Sequence, residues 1–423
     1  MARSRVAGST TSSWPASTSR PRSSLAGPRC DRAETGRRRP RPPRAGAWPR
    51  NRLVATAAAA ITEQLVEPLV NVALVGYGFV GKVFHAPLIR HTPGLRLHCV
   101  VSSDAAKVHA DHPDVRVVAD AETAFAGPAI DLVVIAAPNA LHAPLAIAAL
   151  RQGKHVVVDK PFTVTAEEAR RVADHARSAG RIASVFQNRR WDADFLALRH
   201  LLADGSLGEV AEFHSHFDRH RPAVAPRWRE SGEPGSGLWY DLGPHLLDQA
   251  VQLFGMPDAV FADLARQRQG ALADDYFHVL LRYRRLRVVL HAGTLVAANG
   301  LRFAVHGSRG SFIKHGLDPQ EAALRSGSKP GQAGWGRDPQ PGWLHPATAA
   351  GASPAPATPV PAMAETDGDY RRYYQAMHAA ITAGRPPPVG IDEAVQLMEL
   401  LEAGLRSAAQ GREVACGAAA ATG

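Results

Sequence analysis

Three residues of types that can move a proton stand in two short motifs of the chain. Lys160 follows three consecutive valines in VVVDKPFTVT, at the end of a predicted strand, and His245 comes four residues after Asp241 in GLWYDLGPHLLDQAVQLFG. A partly buried lysine can polarise a substrate oxygen, and a histidine near a carboxylate is a suitable general base around neutral pH. Taken alone, Lys160 is more readily interpreted as a surface lysine.

The helix predicted around the second motif starts at Pro244 and ends at Gly255. Asp241 then lies just before the helix, and the i, i+3 spacing places His245 and Asp248 on one face. For an isolated pair of this kind, a capping aspartate and a packed histidine are the simpler explanation. A metal site also fits loosely, but no third and fourth ligands cluster nearby in the sequence, so no metal is predicted.

A glycine turn follows the first predicted strand. In GYGFVG, Gly76, Gly78 and Gly81 have G-x-G-x-x-G spacing, with Phe79 and Val80 in the same turn. The first glycine allows the tight turn, the second lets the backbone approach a pyrophosphate, and the third lets helix and strand pack closely. At the first strand of a βαβ series, this turn indicates dinucleotide binding by free N–H groups.

The choice between NADP(H) and NAD(H) depends on the end of the second strand. That strand ends in VVSSD, where Ser102 and Ser103 precede Asp104 and Lys107 lies nearby. Small hydroxyls and a cation suit a 2′-phosphate, so NADP(H) is favoured. The alternative, in which Asp104 binds the ribose hydroxyls of NAD(H), stays open.

Strands and helices alternate through the first half of the chain, which predicts a parallel sheet covered on both faces. The predicted dinucleotide-binding domain spans residues 67–187. After residue 188 the strands are longer and their polarity alternates, with a hairpin reversal at Tyr283–Arg287. This pattern predicts a second domain of α+β type over residues 188–415, with a largely antiparallel sheet. Residues 416–423 are predicted to be a flexible C-terminus.

Two further segments have a clear pattern. The Pro/Gly/Ala-rich residues 326–365 are predicted to form a long loop, and residues 391–411 an amphipathic helix.

The net charge of +10 lies at one end of the chain. Residues 1–60 contain 13 arginines, no lysine and two acids, which is +11, so the remainder carries −1. Residues 1–66 are therefore predicted to be a disordered basic tail. The tail is interpreted as a transit-like presequence, as a nucleic-acid-binding arm, or as residues upstream of the true start near Val66. No nucleic acid is expected as a partner of the folded part.

The spacing of the cysteines and the hydropathy of the chain indicate in which compartment the protein works. Cys30, Cys99 and Cys416 are widely spaced, which is neither a disulfide framework nor a zinc pattern and suits a reducing cytoplasm. No run of about 18 apolar residues occurs, so no membrane span is predicted.

From about Val70 to Val414, the chain resembles the Gfo/Idh/MocA oxidoreductases. The resemblance is carried by four motifs in this order: the glycine turn, APNALH, DKP and YDLGPH. Within the family, the chain looks most like the NADP-linked scyllo-inositol dehydrogenase branch, in the segments LVGYGFVGKVFHAPLI, FQNRRWDADF, FDRHRP and YDLGPHLLDQ. The resemblance implies a Rossmann domain followed by a domain on an open antiparallel sheet. It also implies reversible hydride transfer between a sugar or polyol carbon and the nicotinamide.

The resemblance assigns roles by motif position. Lys160 falls on the family's catalytic lysine, and Asp241 and His245 fall on its Asp/His pair, which implies that these residues also meet the substrate. Pro138, Asn139 and His142 fall on the segment that lines the nicotinamide end of the cofactor, where Asp159 and Lys160 also belong. The chain departs from the family at Asp159, where glutamate is usual.

Other candidates follow from position alone. Asn188, Arg190 and Trp191 come after the last Rossmann strand and are predicted to bind substrate, each being equally explained by a structural role. Further residues of the same kind are Arg189, Arg219, Arg221 and Trp228.

These patterns predict an NAD(P)-dependent dehydrogenase of a sugar or an inositol-like polyol, working in the cytoplasm as a homo-oligomer. The alternative is a non-catalytic, dinucleotide-sensing regulator on the same fold. Such a regulator is expected to lack the lysine or the Asp/His pair, and this chain keeps all three residues.

Overall fold

The computed structural model describes residues 68–298, 300–349, 353, 355–360 and 366–416. The basic tail predicted over residues 1–66 lies outside these residues, as does most of the C-terminus predicted over 416–423. Among the described helices, none is both long enough and apolar enough to cross a membrane.

The first sheet of the described residues has six parallel strands in the order β3-β2-β1-β4-β5-β6. Valine-rich runs form its centre because β-branched side chains suit a strand that is buried on both faces. The strands are β1 Val70–Val75, β2 Leu95–Val101, β3 Arg116–Val118, β4 Leu132–Ile135, β5 His155–Val158 and β6 Ala183–Val185.

Short helices connect these strands and cover the sheet. They are α1 Ala86–Arg90, α2 Ala105–Asp111, α3 Ala121–Phe125, α4 His142–Arg151 and α5 Ala166–Ala179, with a π-helical turn at Gly81–His85 before α1. The start of α5 is specified locally by a capping box: the Thr165 side chain accepts from the backbone N–H of Glu168, and the Glu168 carboxylate accepts from that of Thr165.

The second sheet of the described residues has nine strands in the order β14-β13-β12-β11-β7-β10-β9-β8-β15. Every neighbouring pair is antiparallel except β7 and β10. The strands are β7 Val210–His216, β8 Ala259–Ala265, β9 Tyr276–Arg282, β10 Arg287–Gly293, β11 Leu301–Gly307, β12 Gly310–His315, β13 Trp343–Pro346, β14 Thr358–Pro359 and β15 Val414–Ala415.

Helices α7 and α10 cover one face of this sheet, where alternate strand residues such as Phe213, Phe277 and Leu290 are fully buried. The indole of Trp239, on α7, is also fully buried and donates to the backbone oxygen of Leu401 on α10. The helices are α6 Ala193–Ala203, α7 Gly237–Phe254, α8 Gln320–Arg325, α9 Arg371–Ala383 and α10 Ile391–Gln410.

The predicted fold class is confirmed: a doubly wound parallel sheet is followed by a largely antiparallel one, with the predicted reversal after Arg282. One helix boundary was predicted wrongly. The helix α7 does not start at Pro244 but at Gly237, so Asp241 lies inside it and Pro244 is internal. Gly243 makes this possible, because the residue before a proline is driven from the helical region partly by its Cβ, which glycine lacks.

Candidate active site

A cavity of about 350 Å³ lies where the end of β5, the glycine turn after β1 and the helix α7 meet. Of the described residues, six arginines and one lysine line it against three carboxylates. Its lining residues are Phe79, Val80, Phe84, Asp159, Lys160, Phe186, Asn188, Arg189, Arg219, Arg221, Arg227, Arg229, Asp241, Leu242, His245, Glu321 and Arg325. The excess of cations makes this a site for electron-rich or anionic groups.

Lys160 connects the end of β5 to the helix α7 at this cavity. It leaves the end of β5, and the peptide bond that joins it to Pro161 is cis. Its Nζ donates to the backbone oxygen of Asp241 at 2.5 Å and to Asp241 Oδ1 at 3.0 Å. With its side chain 12% exposed, Lys160 is held at the cavity wall and is not free in solvent.

Asp241 collects three cations. Besides Lys160, Arg229 Nε lies 3.3 Å from its Oδ1 and Arg219 Nη1 lies 3.8 Å from its Oδ2. Burial alone would raise the pKa of Asp241, but the charges of Lys160, Arg229 and Arg219 outweigh that effect and hold the pKa well below its ordinary value. Asp241 is therefore an anion at any pH near neutrality.

His245 lies one helical turn after Asp241 on α7 and lines the same cavity. Burial, followed by the charges of Lys160 and Arg189, lowers its pKa well below 6.5, against the opposing effect of Asp241. Its Nδ1 is buried without a hydrogen-bond partner among the described residues, which leaves Nε2 as the ring nitrogen available to a substrate. His245 is thus a neutral imidazole that can accept a proton.

Asp159 belongs to a buried polar chain beside Lys160. Its Oδ1 lies 3.4 Å from His85 Nε2, and His85 Nδ1 lies 2.6 Å from the hydroxyl of Tyr374. Burial would raise the pKa of Asp159, but the interactions with His85 and Lys160 lower it. Asp159, which is shorter than the family's usual glutamate, is therefore an ionised carboxylate. It is paired with His85 and directly precedes Lys160 in the chain.

The glycine turn has the shape that a dinucleotide requires. Gly76 has a φ of 94°, and a Cβ on Gly81 would lie 2.1 Å from the Gly76 oxygen. A Cβ on Gly78 would meet nothing within 4 Å, so the absent side chain leaves open space beside the backbone. Gly76 and Gly81 thus form the turn, while Gly78 leaves room for a pyrophosphate.

The end of β2 places Ser102 and Ser103 toward solvent. The Asp104 carboxylate is already used, because it caps α2 by accepting from the backbone N–H of Lys107 at 2.9 Å. The Ser102 hydroxyl lies 3.1 Å from the backbone nitrogen of Asp104 and completes this turn.

The predicted nicotinamide segment lies beside Lys160 and does not line the main cavity. His142 is fully buried, with Nδ1 2.8 Å from the Pro161 oxygen and Nε2 2.9 Å from the Ala137 oxygen. Burial lowers its pKa, so the ring is neutral and only one of its two nitrogens donates a hydrogen bond to a carbonyl oxygen. Asn139, which follows Pro138, donates to the backbone oxygen of Gly235, just before α7.

Two of the three predicted substrate residues are not at the cavity. Arg190 donates to both oxygens of Asp248 and to Glu393, which fixes it in a buried ion-pair network. Trp191 packs against the core with its ring edge-on to Tyr373. Asn188 does line the cavity.

Position in the sequence did not point to several other lining residues. Arg229 comes from the loop after β7, and its guanidinium lies 4.7 Å above the Trp228 ring. Glu321 and Arg325, on α8, pair with each other, and Arg325 stacks on Phe79 at 4.6 Å. Loop and helix residues such as these have no spacing rule that would reveal them, because only the tertiary fold brings them to the glycine turn.

A doubly wound sheet with a glycine turn at its first strand, beside a half-buried lysine, a half-buried carboxylate and a neutral histidine, defines a dinucleotide-dependent oxidoreductase. Family models agree with this class. Residues 70–187 match the model described as "Oxidoreductase family, NAD-binding Rossmann fold", and residues 199–416 match "Oxidoreductase family, C-terminal alpha/beta domain". The chain belongs to this family, the Gfo/Idh/MocA oxidoreductases, whose members are NAD(P)-dependent dehydrogenases.

Similar proteins cover nearly the whole described part. The uncharacterized oxidoreductase YdgJ of Escherichia coli is 52% identical over 80% of this chain and 96% of its own length. The scyllo-inositol 2-dehydrogenase (NADP(+)) IolW of Bacillus subtilis is 38% identical over 82% and 95%. A solved structure of a putative oxidoreductase from Yersinia pestis is 50% identical and superposes with a TM-score of 0.79, covering 83% of this chain and 98% of that one.

Proposed function

We propose that this protein is an NADP(H)-dependent dehydrogenase that acts on a CH–OH group of a cyclic polyol or sugar of the inositol kind. The observation that carries the proposal is the convergence of Lys160, Asp241 and His245 on one cavity beside the glycine turn. A relative named as a scyllo-inositol 2-dehydrogenase, 38% identical over nearly its whole length, supports this substrate class.

The residues of the cavity can carry out the proton half of the reaction. Neutral His245 accepts the hydroxyl proton at Nε2 as the carbonyl forms, and Lys160 donates a hydrogen bond to the same substrate oxygen. Asp241 keeps the lysine's ammonium at the wall and balances the positive charge that His245 acquires. When bound, the nicotinamide supplies the hydride acceptor, and in reduction the same residues return the proton.

Two features of the described residues support NADP(H) over NAD(H). One oxygen of the Asp104 carboxylate accepts the capping hydrogen bond of α2, which holds this side chain against its own helix. Half-buried Ser102 and exposed Ser103 leave room for a 2′-phosphate. We therefore expect kcat/KM to be higher with NADP⁺ than with NAD⁺.

The function is tested by assaying NADP⁺ and NAD⁺ reduction with a panel of inositols, aldoses and lactones. Lys160→Ala and His245→Ala are expected to lower kcat by about 10²- to 10⁴-fold, the usual contribution of a general acid–base group, while cofactor binding is retained. Lys329→Ala and His315→Ala, two exposed residues of the same types outside the cavity, serve as matched controls. Cofactor binding without turnover on the whole panel indicates instead a dinucleotide-sensing regulator.

The proposal extends to the setting of the enzyme. Cys99 and Cys416 are free thiols, which suits a reducing cytoplasm. Helices α7 and α10 cover one face of the second sheet, and pairing of the opposite face with that of a second chain would make a homo-oligomer. Sedimentation of the purified protein measures that assembly.

A further inference from the structure

A second cluster of chemically capable side chains lies outside the cavity, on the second sheet. His216 ends β7 and pairs in register with His291 on β10, the two neighbouring parallel strands. Asp218 follows two residues after His216. Side chains alternate between the two faces of an extended segment, so His216 and Asp218 point away from Phe217, which is buried under the cavity arginines.

The three side chains converge on one point. His216 Nδ1 lies 3.5 Å from Asp218 Oδ2, and His291 Nε2 lies 3.3 Å from Asp218 Oδ1. One ligand atom from each residue can be chosen so that all three lie within 4.8 Å of one another. Ligands at about 2.0–2.1 Å around a tetrahedral zinc ion are about 3.3 Å apart, so the two nitrogen–oxygen distances already have the required size.

A backbone hydrogen bond holds the carboxylate of the cluster in place. The backbone N–H of Gly293 donates to Asp218 Oδ1 at 3.0 Å, which orients the acid as outer-shell bonds do in metal sites. The three side chains are 8–19% exposed, which leaves room for solvent ligands.

The catalytic cavity does not explain this cluster. None of the three residues lines that cavity, and the proton transfer assigned to His245 does not use them. The cluster is nevertheless adjacent to it through the backbone, because Arg219, the residue after Asp218, reaches toward Asp241.

We propose that His216, Asp218 and His291 form a binding site for a divalent transition-metal ion such as Zn²⁺. Two imidazoles and one carboxylate match the borderline ligand preference of Zn²⁺ and Co²⁺, whereas Ca²⁺ and Mg²⁺ require mostly oxygen ligands. Water completes the coordination. The bound ion joins β10 to the end of β7 and to the segment after β7, which carries Arg219.

Cobalt binding tests the site, because Co²⁺ reports its own coordination by visible absorption. Full-length protein without a histidine tag is stripped with chelator and titrated with Co²⁺, and then with Zn²⁺ as competitor. We expect one Co²⁺ per chain, ligand-field bands of a four- or five-coordinate ion, and displacement by Zn²⁺. Absence of such bands at a stoichiometric Co²⁺ concentration overturns the proposal.

Substitutions assign the ligands. His216→Ala/His291→Ala is expected to weaken Co²⁺ binding at least about 10-fold. Asp218→Asn keeps an acceptor for Gly293 and is expected to change the bands without unfolding the protein, and circular dichroism checks the fold of each variant. The control is His214→Ala, on the same strand but paired with Glu212 instead. Undiminished binding in both the double variant and Asp218→Asn assigns the metal elsewhere and refutes the site.

Discussion

Asp241 interacts with three cationic side chains of the cavity. Lys160 and Arg229 both contact its Oδ1, and Arg219 approaches its Oδ2. These cations lower the pKa of the carboxyl, while burial and the charges of Lys160 and Arg189 lower the pKa of His245. The site therefore keeps a proton acceptor neutral and a counter-ion charged at the same pH, which is the pairing that general base catalysis needs.

The pH profile of alcohol oxidation is expected to reflect this arrangement. His245 must be neutral to accept a proton, and its pKa lies well below 6.5, so kcat stays on its plateau at pH 6.5 and falls only at lower pH. Asp241 raises the pKa of His245, so Asp241→Asn moves the acid limb further down. The plateau itself is expected to fall, because Lys160 loses its anionic partner.

The measurement is kcat for polyol oxidation between about pH 4.5 and pH 9. These limits bracket the ordinary pKa of histidine. His315→Gln is the control, since this exposed histidine is outside the cavity and its loss leaves the limb unmoved. A limb that moves to higher pH in Asp241→Asn contradicts the electrostatic assignment.

Elements differed in how far local pattern specified them. The first sheet was predictable because consecutive valines and a glycine turn are local signals, and β1, β4 and β5 appear where the pattern places them. The start of α7 was not, because the rule that places proline at a helix start takes no account of a glycine before it. The proposed catalytic residues Lys160, Asp241 and His245 were identified from motif order, whereas Arg229 required the tertiary fold.

The glycine turn offers an element-scale prediction in which two similar substitutions have different effects. A Cβ at position 81 would lie 2.1 Å from the Gly76 oxygen, so Gly81→Ala is expected to lower the free energy of unfolding by about 1–3 kcal/mol, as overpacking does. A Cβ at position 78 meets nothing within 4 Å. Gly78→Ala is therefore expected to leave stability unchanged and to weaken cofactor binding about tenfold or more, because it fills the pyrophosphate's space.

Denaturant unfolding of the cofactor-free protein and a fluorescence titration with NADPH separate the two effects. Each variant serves as the control for the other. Unchanged NADPH affinity in Gly78→Ala refutes the role of this turn in holding the pyrophosphate.

At the scale of the whole molecule, charge and fold are separated along the chain. Residues 1–60 carry +11 while the remainder is close to neutral at −1. The first described residues are held by a contact with helix α9, because His378 Nε2 lies 2.7 Å from the backbone oxygen of Pro68, just before β1. The two family models match residues 70–187 and 199–416, which follow the basic segment in the sequence.

A variant that begins at Glu67 is therefore expected to keep the dehydrogenase activity, with kcat and KM equal to those of the full chain. Removing the arginines is expected to abolish salt-dependent retention on heparin, because nonspecific binding to a polyanion depends on the number of cations that contact it. A full-length variant with Arg37, Arg38 and Arg39 replaced by glutamine is the matched control and should elute between the two. If the truncated protein is folded by circular dichroism but inactive, the basic segment contributes to catalysis and the independence of the two parts is wrong.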